Sequence, residues 1–251
     1  MKTRLLCFLL IAVGWQSQLA AQGKSSKAPD SCEVADTNNY STKFDFKADT
    51  IYRSNNNYLL AQLALLAYGT ETEIEAQIRR WNKHRPAQDT LEHSVVEKCK
   101  DQFLIVSADS FIILSFRGTY NLKNIASDLD MKLIEFEEGA GLVHRGFYKT
   151  IKKLDNKIQE ALESHQHQGA KQQLYLTGHS LGGALALLYP FVHEQQIQFT
   201  QITTFGQPKV GDQGLISYLM KQTQANGFAK DRYFRLVNAS DLVAKLPTFD
   251  Y

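Results

Sequence analysis

The stretch Leu174 to Pro190, LYLTGHSLGGALALLYP, restricts the fold more than any other part of the chain. An apolar strand runs into Gly178-His179-Ser180-Leu181-Gly182, and an apolar helix leaves it. A strand that turns directly into a helix crowds the residues two before and two after the turn, and glycine at both places removes the side chains that would collide. Ser180 then sits on a strained backbone with its hydroxyl above the sheet edge. The helix that starts there aims free N–H groups and its positive end at the same point. The Leu181 amide is thus placed to hold a developing oxyanion. The other reading of these residues is a glycine-rich helix start with Ser180 as an ordinary cap. The apolar segments on both sides supply the context that a nucleophile on such a turn requires.

Around this junction the pattern alternates between strands and helices. Tyr58 to Tyr68, YLLAQLALLAY, has the length and the Leu and Ala content of a buried helix. Glu73 to Trp81 predicts a second helix, followed by a polar loop around Pro86. Phe103 to Val106 and Phe111 to Phe116 are short β-rich runs joined by the turn SADS. Gly146 to Ser164 has helical spacing and stops near Gly169. Ile202 to Phe205 and Tyr233 to Val237 are further strands, with a helix from about Leu215 to Thr223 between them. Such alternation predicts an α/β fold with a mostly parallel sheet covered on both faces.

The chain has 251 residues, 43% hydrophobic and 22% charged, which suits one globular α/β domain. Residues 1–21 are set apart from it. Lys2 and Arg4 precede the apolar run LLCFLLIAVG, and LAA at Leu19 to Ala21 offers small residues for cleavage. This is the pattern of a signal peptide, too short to span a bilayer as an anchor. Cys7 lies inside the apolar run rather than after it, which argues against a lipoprotein site. The expectation is an exported protein, secreted or periplasmic, with no transmembrane segment once the signal is removed. Residues 22–57 form a polar arm and lead-in, and 58–251 the domain.

The chain carries 28 Lys+Arg against 26 Asp+Glu, and the first 21 residues hold two of the basic ones and no acidic residue. The remainder is neutral, which gives no electrostatic case for nucleic acid or anionic membranes. Of the three cysteines, Cys32 and Cys99 remain after the signal and are candidates for a disulfide in an oxidising compartment. A bridge between them would contribute roughly 4 kcal/mol in the loop-entropy model. A partner beyond the chain end is the alternative for either. No cofactor motif, phosphate-cradling loop or metal-ligand set stands out; the H-x-H of His165 and His167 is a weak metal signal.

Five segments together carry a resemblance. They are SFRGT (Ser115 to Thr119), VHRGF (Val143 to Phe147), LTGHSLGGALA (Leu176 to Ala186), TFGQPKVGD (Thr204 to Asp212) and RLVNASDLVAKLP (Arg235 to Pro247). In this order they resemble the class 3 (fungal-type) lipase family, over about Tyr58 to the chain end. The resemblance implies an α/β-hydrolase fold and hydrolysis of carboxylic esters by a Ser-Asp-His triad, with a lipid or acyl-ester substrate met at a lipid–water interface. Carried over by position, Ser180 is the nucleophile and Asp241 the acid that orients the histidine. Thr119 supplies the second oxyanion donor beside Leu181. On residue type alone Asp241 is also a loop cap and Thr119 a strand-end threonine. Ala244 departs from the proline usual in that motif, and Pro190 should end the nucleophile helix early. Leu122, Ile125, Ala126 and Leu129 form one apolar helical stripe, expected to be a lid, or else a helix packed on the core.

The resemblance also implies a histidine after Asp241, and no histidine follows His193. The catalytic histidine is therefore expected beyond Tyr251, with the C-terminal part of the domain absent from this sequence. The histidines present are read otherwise. His84 and His93 fall in a polar loop, His144 is structural, and His165 and His167 are solvated. His179 points away from Ser180, and His193 lies on the nucleophile helix without a zinc-protease partner. Two functions follow: an exported lipase acting on acylglycerols, or an inactive truncated relative that at most binds lipid. Phospholipid and feruloyl-type esters are further substrates compatible with the scaffold. The sequence sets no oligomeric state.

Overall fold

The computed structural model describes residues 40–98, 100–119, 132–167, 169–192, 197–225 and 232–246. Helices α1 (Ser54–Leu66) and α2 (Glu71–Asn82) come first, then strands β1 (Glu92–Lys98), β2 (Asp101–Ala108) and β3 (Phe111–Phe116). A two-stranded ribbon, β4 (Leu133–Glu135) and β5 (Leu142–His144), leads into α3 (Arg145–Ser164). Then follow β6 (Gln173–His179), α4 (Leu181–Leu188), β7 (Gln201–Phe205), α5 (Gln213–Ala225) and β8 (Tyr233–Leu236). The main sheet has the order β1-β2-β3-β6-β7-β8. The pairs β1–β2 and β2–β3 are antiparallel, and β3–β6, β6–β7 and β7–β8 are parallel. The expected α/β-hydrolase-like architecture, a mostly parallel sheet with helices on both faces, is what the chain forms.

Side chains leave a strand on alternate faces, and both faces here are apolar. Phe103, Ile105, Leu114, Phe116 and Leu176 face one core, filled from α3, α4 and α5. Leu104, Val106, Phe111, Ile113 and Tyr175 face the other, filled from α1 and α2. In α3 the buried residues are Phe147, Ile151, Leu154, Ile158 and Ala161, steps of three and four that put one stripe on the sheet. α2 starts two residues earlier than its apolar pattern suggests. Thr70 and Glu73 close a capping box there, with Thr70 N–H donating to Glu73 Oε2 at 2.7 Å. Pro190 does end α4: the helix stops at Leu188 and tightens into a 3₁₀ turn over Tyr189–Phe191.

Three features differ from the sequence reading. Tyr40, Phe44 and Phe46, placed in the lead-in, are buried in the core under α1 and α2. Phe44 lies 4.8 Å from the Trp81 ring, and Trp81 Nε1 donates to Ser41 O at 2.8 Å. His93 belongs to β1, an edge strand whose EHSVVEK sequence is too polar to stand out as β-rich. His165 is buried rather than solvated.

His165 ends α3 by dropping its ring between β1 and β2. Nε2 meets Ser94 Oγ at 2.7 Å and Nδ1 meets Ser107 Oγ at 2.6 Å. Burial pushes its pKa down, with Glu92 opposing and His93 and His167 reinforcing that shift. The unfolded chain takes up a proton near the ordinary histidine value of about 6.5, whereas the native ring does so only at lower pH. Its contribution to stability is therefore intact above about pH 6.5 and is lost as pH falls below it. Thermal unfolding followed from pH 7.5 to 5 should show Tm falling, and His165→Gln should flatten that fall. Equal slopes in both proteins would contradict the assignment.

Candidate active site

Ser180 has φ 55° and ψ −124°, and among the described residues it is the one non-glycine with positive φ. A residue held in such a region costs about 1–3 kcal/mol. Its backbone is fixed on both sides. Ser180 N–H donates to Phe205 O of β7 at 2.9 Å, and Ser180 O accepts from Gly183 N (3.0 Å) and Ala184 N (3.3 Å). The flanking glycines behave as their spacing predicts: a Cβ on Gly178 would run into the Gly182 backbone. Gly182 has a second reason, since a Cβ there would strike the Phe116 carbonyl at the end of β3. Ser180 makes no side-chain capping bond. Its Oγ is buried and has no hydrogen-bond partner among the described residues.

Contact between Gly182 and β3 brings the next residues of that strand to the turn. Gly118 lies against His179: a Cβ on it would stand 2.5 Å from His179 O and would overlap Tyr68 Oη. Thr119, partly buried, follows directly. Arg117 is aimed elsewhere, with Nη2 donating to Lys100 O at 2.7 Å. Leu181 opens α4, so its amide belongs to the first turn, where N–H groups lack intrahelical partners.

Asp241 reaches the same end of the sheet from the loop after β8. Asp241 N–H donates to Asn238 O (2.9 Å) and Val243 N–H donates to Asp241 Oδ1 (2.9 Å). The capping role is thus real, but it uses one carboxylate oxygen. Oδ2 faces Gly206: a Cβ there, at φ 56°, would stand 2.8 Å from it and 3.5 Å from His179 Nε2. The loop is clamped by Arg235, whose Nη2 donates to Gln207 O (2.6 Å) and to Ala244 O (2.7 Å). Lys209 N–H donates to Leu246 O at 2.8 Å. Ser180, the Gly118–Thr119 segment and the Asp241 loop thus each follow the C-terminal end of a strand in the parallel part of the sheet, the end where α/β sheets bind ligands.

Tyr68, Gly206 and Arg235 escaped the sequence reading as parts of this region. Tyr68 Oη lies 2.9 Å from His179 Nδ1, and burial pushes the His179 pKa down while Asp241 opposes the shift. Of the other histidines, His84 is exposed, His144 stacks on Phe147 at 4.1 Å, and His167 Nδ1 lies 2.9 Å from Asp109 Oδ1. Among the described residues no group of three or more His, Cys, Asp or Glu side chains is placed to hold a metal ion, and no helix is long and apolar enough to cross a membrane. The signal-peptide region, the lid residues Leu122, Ile125 and Leu129, the cysteines Cys32 and Cys99, and His193 lie outside the described residues.

The chain is similar to several known proteins. It is 30% identical over 219 residues to "Triacylglycerol lipase OBL1" of Ricinus communis, an alignment covering 67% of this chain and 39% of that protein. It is 29% identical over 146 residues to "Lipase" of Rhizomucor miehei, covering 56% of this chain and 38% of that protein. The chain thus spans about two fifths of the length of these relatives. The crystal structure of lipase from Rhizopus microsporus var. chinensis superposes with a TM-score of 0.58 at 22% identity, covering 78% of this chain and 70% of that one, a likeness of fold. The family model described as Lipase (class 3) matches residues 113–251, from β3 through the elbow to the Asp241 loop and the chain end. With more than half its length so matched, the chain belongs to the class 3 lipase family.

Proposed function

We propose that the protein is an exported carboxylic-ester hydrolase that acts on acylglycerols through an acyl-Ser180 intermediate. The observation that carries this reading is the Ser180 hydroxyl, buried without a hydrogen-bond partner on a strained backbone between two glycines that admit no side chain. Strain at a serine that caps nothing has no evident structural return. The relatives' names support the substrate class: one is a triacylglycerol lipase, and another, of Fusarium solani, is a "Secreted mono- and diacylglycerol lipase 1".

In the proposed reaction Ser180 Oγ attacks the ester carbonyl as a base removes its proton. The carbonyl oxygen becomes an oxyanion held by the Leu181 and Thr119 amides. Collapse expels the alcohol, which takes the proton back from the base. Water then repeats the sequence on the acyl-enzyme and releases the fatty acid. Asp241 orients the base and stabilises its cation. The proposed base is a histidine outside the described residues, a reading supported by the absence among them of a hydrogen-bond partner for Ser180 Oγ.

The test uses protein expressed from its complete gene. A fluorophosphonate should label Ser180 and stop hydrolysis of p-nitrophenyl esters, and Ser180→Ala should lose both label and turnover. Turnover by Ser180→Ala at the unmodified rate would refute the reading.

A further inference from the structure

The near-neutral total of the chain hides an uneven distribution of charge. In α3 the cations Arg145, Lys149, Lys152, Lys153 and Lys157 fill the N-terminal half, with Asp155 the one acid among them, and Glu160 and Glu163 follow towards the C-terminus. The helix macrodipole favours the reverse order, acids at the start and cations at the end. The first turn of α3 holds no acid and its last turn no base. Lys149, Lys153 and Lys157 also stand four residues apart, so like charges are neighbours on the helix surface, which weakens a helix. Local stability therefore does not account for this placement.

The β1–β2 hairpin extends the basic face. Lys98 Nζ donates to Lys153 O at 2.8 Å, which lays its ammonium against α3, and Lys100 is exposed in the turn of the hairpin. Asp101 meets Lys153 at 2.9 Å and Glu160 meets Lys157 at 2.6 Å, while Lys100 and Lys149 make no ion pair among the described residues. The acidic turn of the ribbon lies on the other flank of α3, where Phe136 packs on Tyr148 and Tyr218 Oη donates to Glu137. The basic face also stands at the Ser180 end of the sheet. β3 ends at Phe116 beside Gly178, two residues before Ser180, and Arg117 then donates from Nη2 to Lys100 O at 2.7 Å. α3 starts directly after β5, whose Val143 bridges Gly211 in the loop after β7, and Leu142 beside it is exposed.

We propose that α3 and the β1–β2 hairpin dock the protein on an anionic lipid surface, which holds the Ser180 end at the interface where a lipid ester is met. This rests on the reading of Ser180 as the nucleophile of a lipid-ester hydrolase. Charge complementarity selects the partner: anionic headgroups attract clustered lysines, and the attraction decays within a Debye length. The proposed reaction adds to that charge, because each fatty acid it releases leaves a carboxylate at the surface when it ionises. Docking therefore strengthens as product accumulates.

The test is sedimentation with vesicles of protein expressed from its complete gene, which needs no turnover. Vesicles of phosphatidylcholine with phosphatidylglycerol should bind it, those of phosphatidylcholine alone should bind it far less, and high salt should remove the difference. A lysine near an anionic surface is worth about a five-fold gain in binding. Lys100→Gln, Lys149→Gln and Lys157→Gln together should therefore weaken binding to the anionic vesicles ~100-fold. Lys43→Gln, Lys83→Gln and Lys171→Gln together remove the same charge from exposed positions elsewhere and should leave binding nearly unchanged. Both triple variants should keep the unmodified rate on a water-soluble p-nitrophenyl ester. Equal losses of binding in the two triple variants, or binding indifferent to phosphatidylglycerol, overturn the proposal. So does retention on heparin that depends on Lys100, Lys149 and Lys157 without vesicle binding, which assigns the face to an acidic polymer instead. Ser180→Ala should sediment as the unmodified protein does, so turnover that survives this variant strikes the hydrolase reading while the sedimentation result decides the docking face by itself.

Discussion

A protein consisting of residues 1–251 and nothing more is expected to hydrolyse p-nitrophenyl esters about 10⁶-fold more slowly than one that also supplies a histidine base. Ser180 Oγ has no hydrogen-bond partner among the described residues, so as described it is a neutral alcohol and a poor nucleophile at neutral pH. In a comparable serine enzyme, removing the histidine alone costs about as much as removing the whole triad, on the order of 10⁶ in turnover. The oxyanion amides and substrate binding would leave a residual acceleration of roughly 10³–10⁴ over water. Initial rates of this chain should therefore match those of its Ser180→Ala variant within about tenfold. Joining a C-terminal segment that carries a histidine after Asp241 should restore turnover. Of the seven histidines, His193 alone lies outside the described residues. Robust turnover by the 251-residue chain would make His193 the base, and His193→Ala would then have to abolish it.

Asp241→Asn should lower kcat by about 10⁴ in protein expressed from its complete gene, with KM little changed. An amide in place of the carboxylate keeps the shape but loses the charge that stabilises the protonated base and fixes its tautomer. The substitution is chosen for its geometry. Asn keeps an oxygen at the Oδ1 position, so the bond from Val243 N–H survives. The Arg235 clamp on Gln207 O and Ala244 O does not involve the side chain at all. Fold stability should thus move little, and a thermal melt beside the kinetics separates the two effects. A loss of kcat smaller than tenfold would remove Asp241 from the triad.

Local physics explains why so much of the elbow is legible in one dimension. The collision that demands Gly178 and Gly182 is between residues four apart, and the helix whose first amide is Leu181 begins at the next position. The strands are legible for a similar reason. β2 and β3 are buried on both faces, so each holds an unbroken apolar run, Phe103 to Val106 and Phe111 to Leu114. β1 is not legible, because an edge strand half open to water can carry EHSVVEK and still complete its ladder with β2. The polar SHQHQ setting predicts a solvated His165, whereas its burial depends on Ser94 and Ser107 from two distant strands.

The strained serine, the α/β alternation and the family are all legible along the chain, because each follows from contacts between near neighbours or from motifs kept in order. Which distant groups approach the elbow depends instead on long-range packing. Parallel pairing of β6, β7 and β8 carries the Asp241 loop to Gly206. The packing of α1 on β6 delivers Tyr68 to His179. The meeting of Gly182 with Phe116 sets Gly118, the residue before Thr119, against the turn. Sheet register and helix docking are long-range, and a periodic pattern records which face of a strand is buried but not which strand lies next to it.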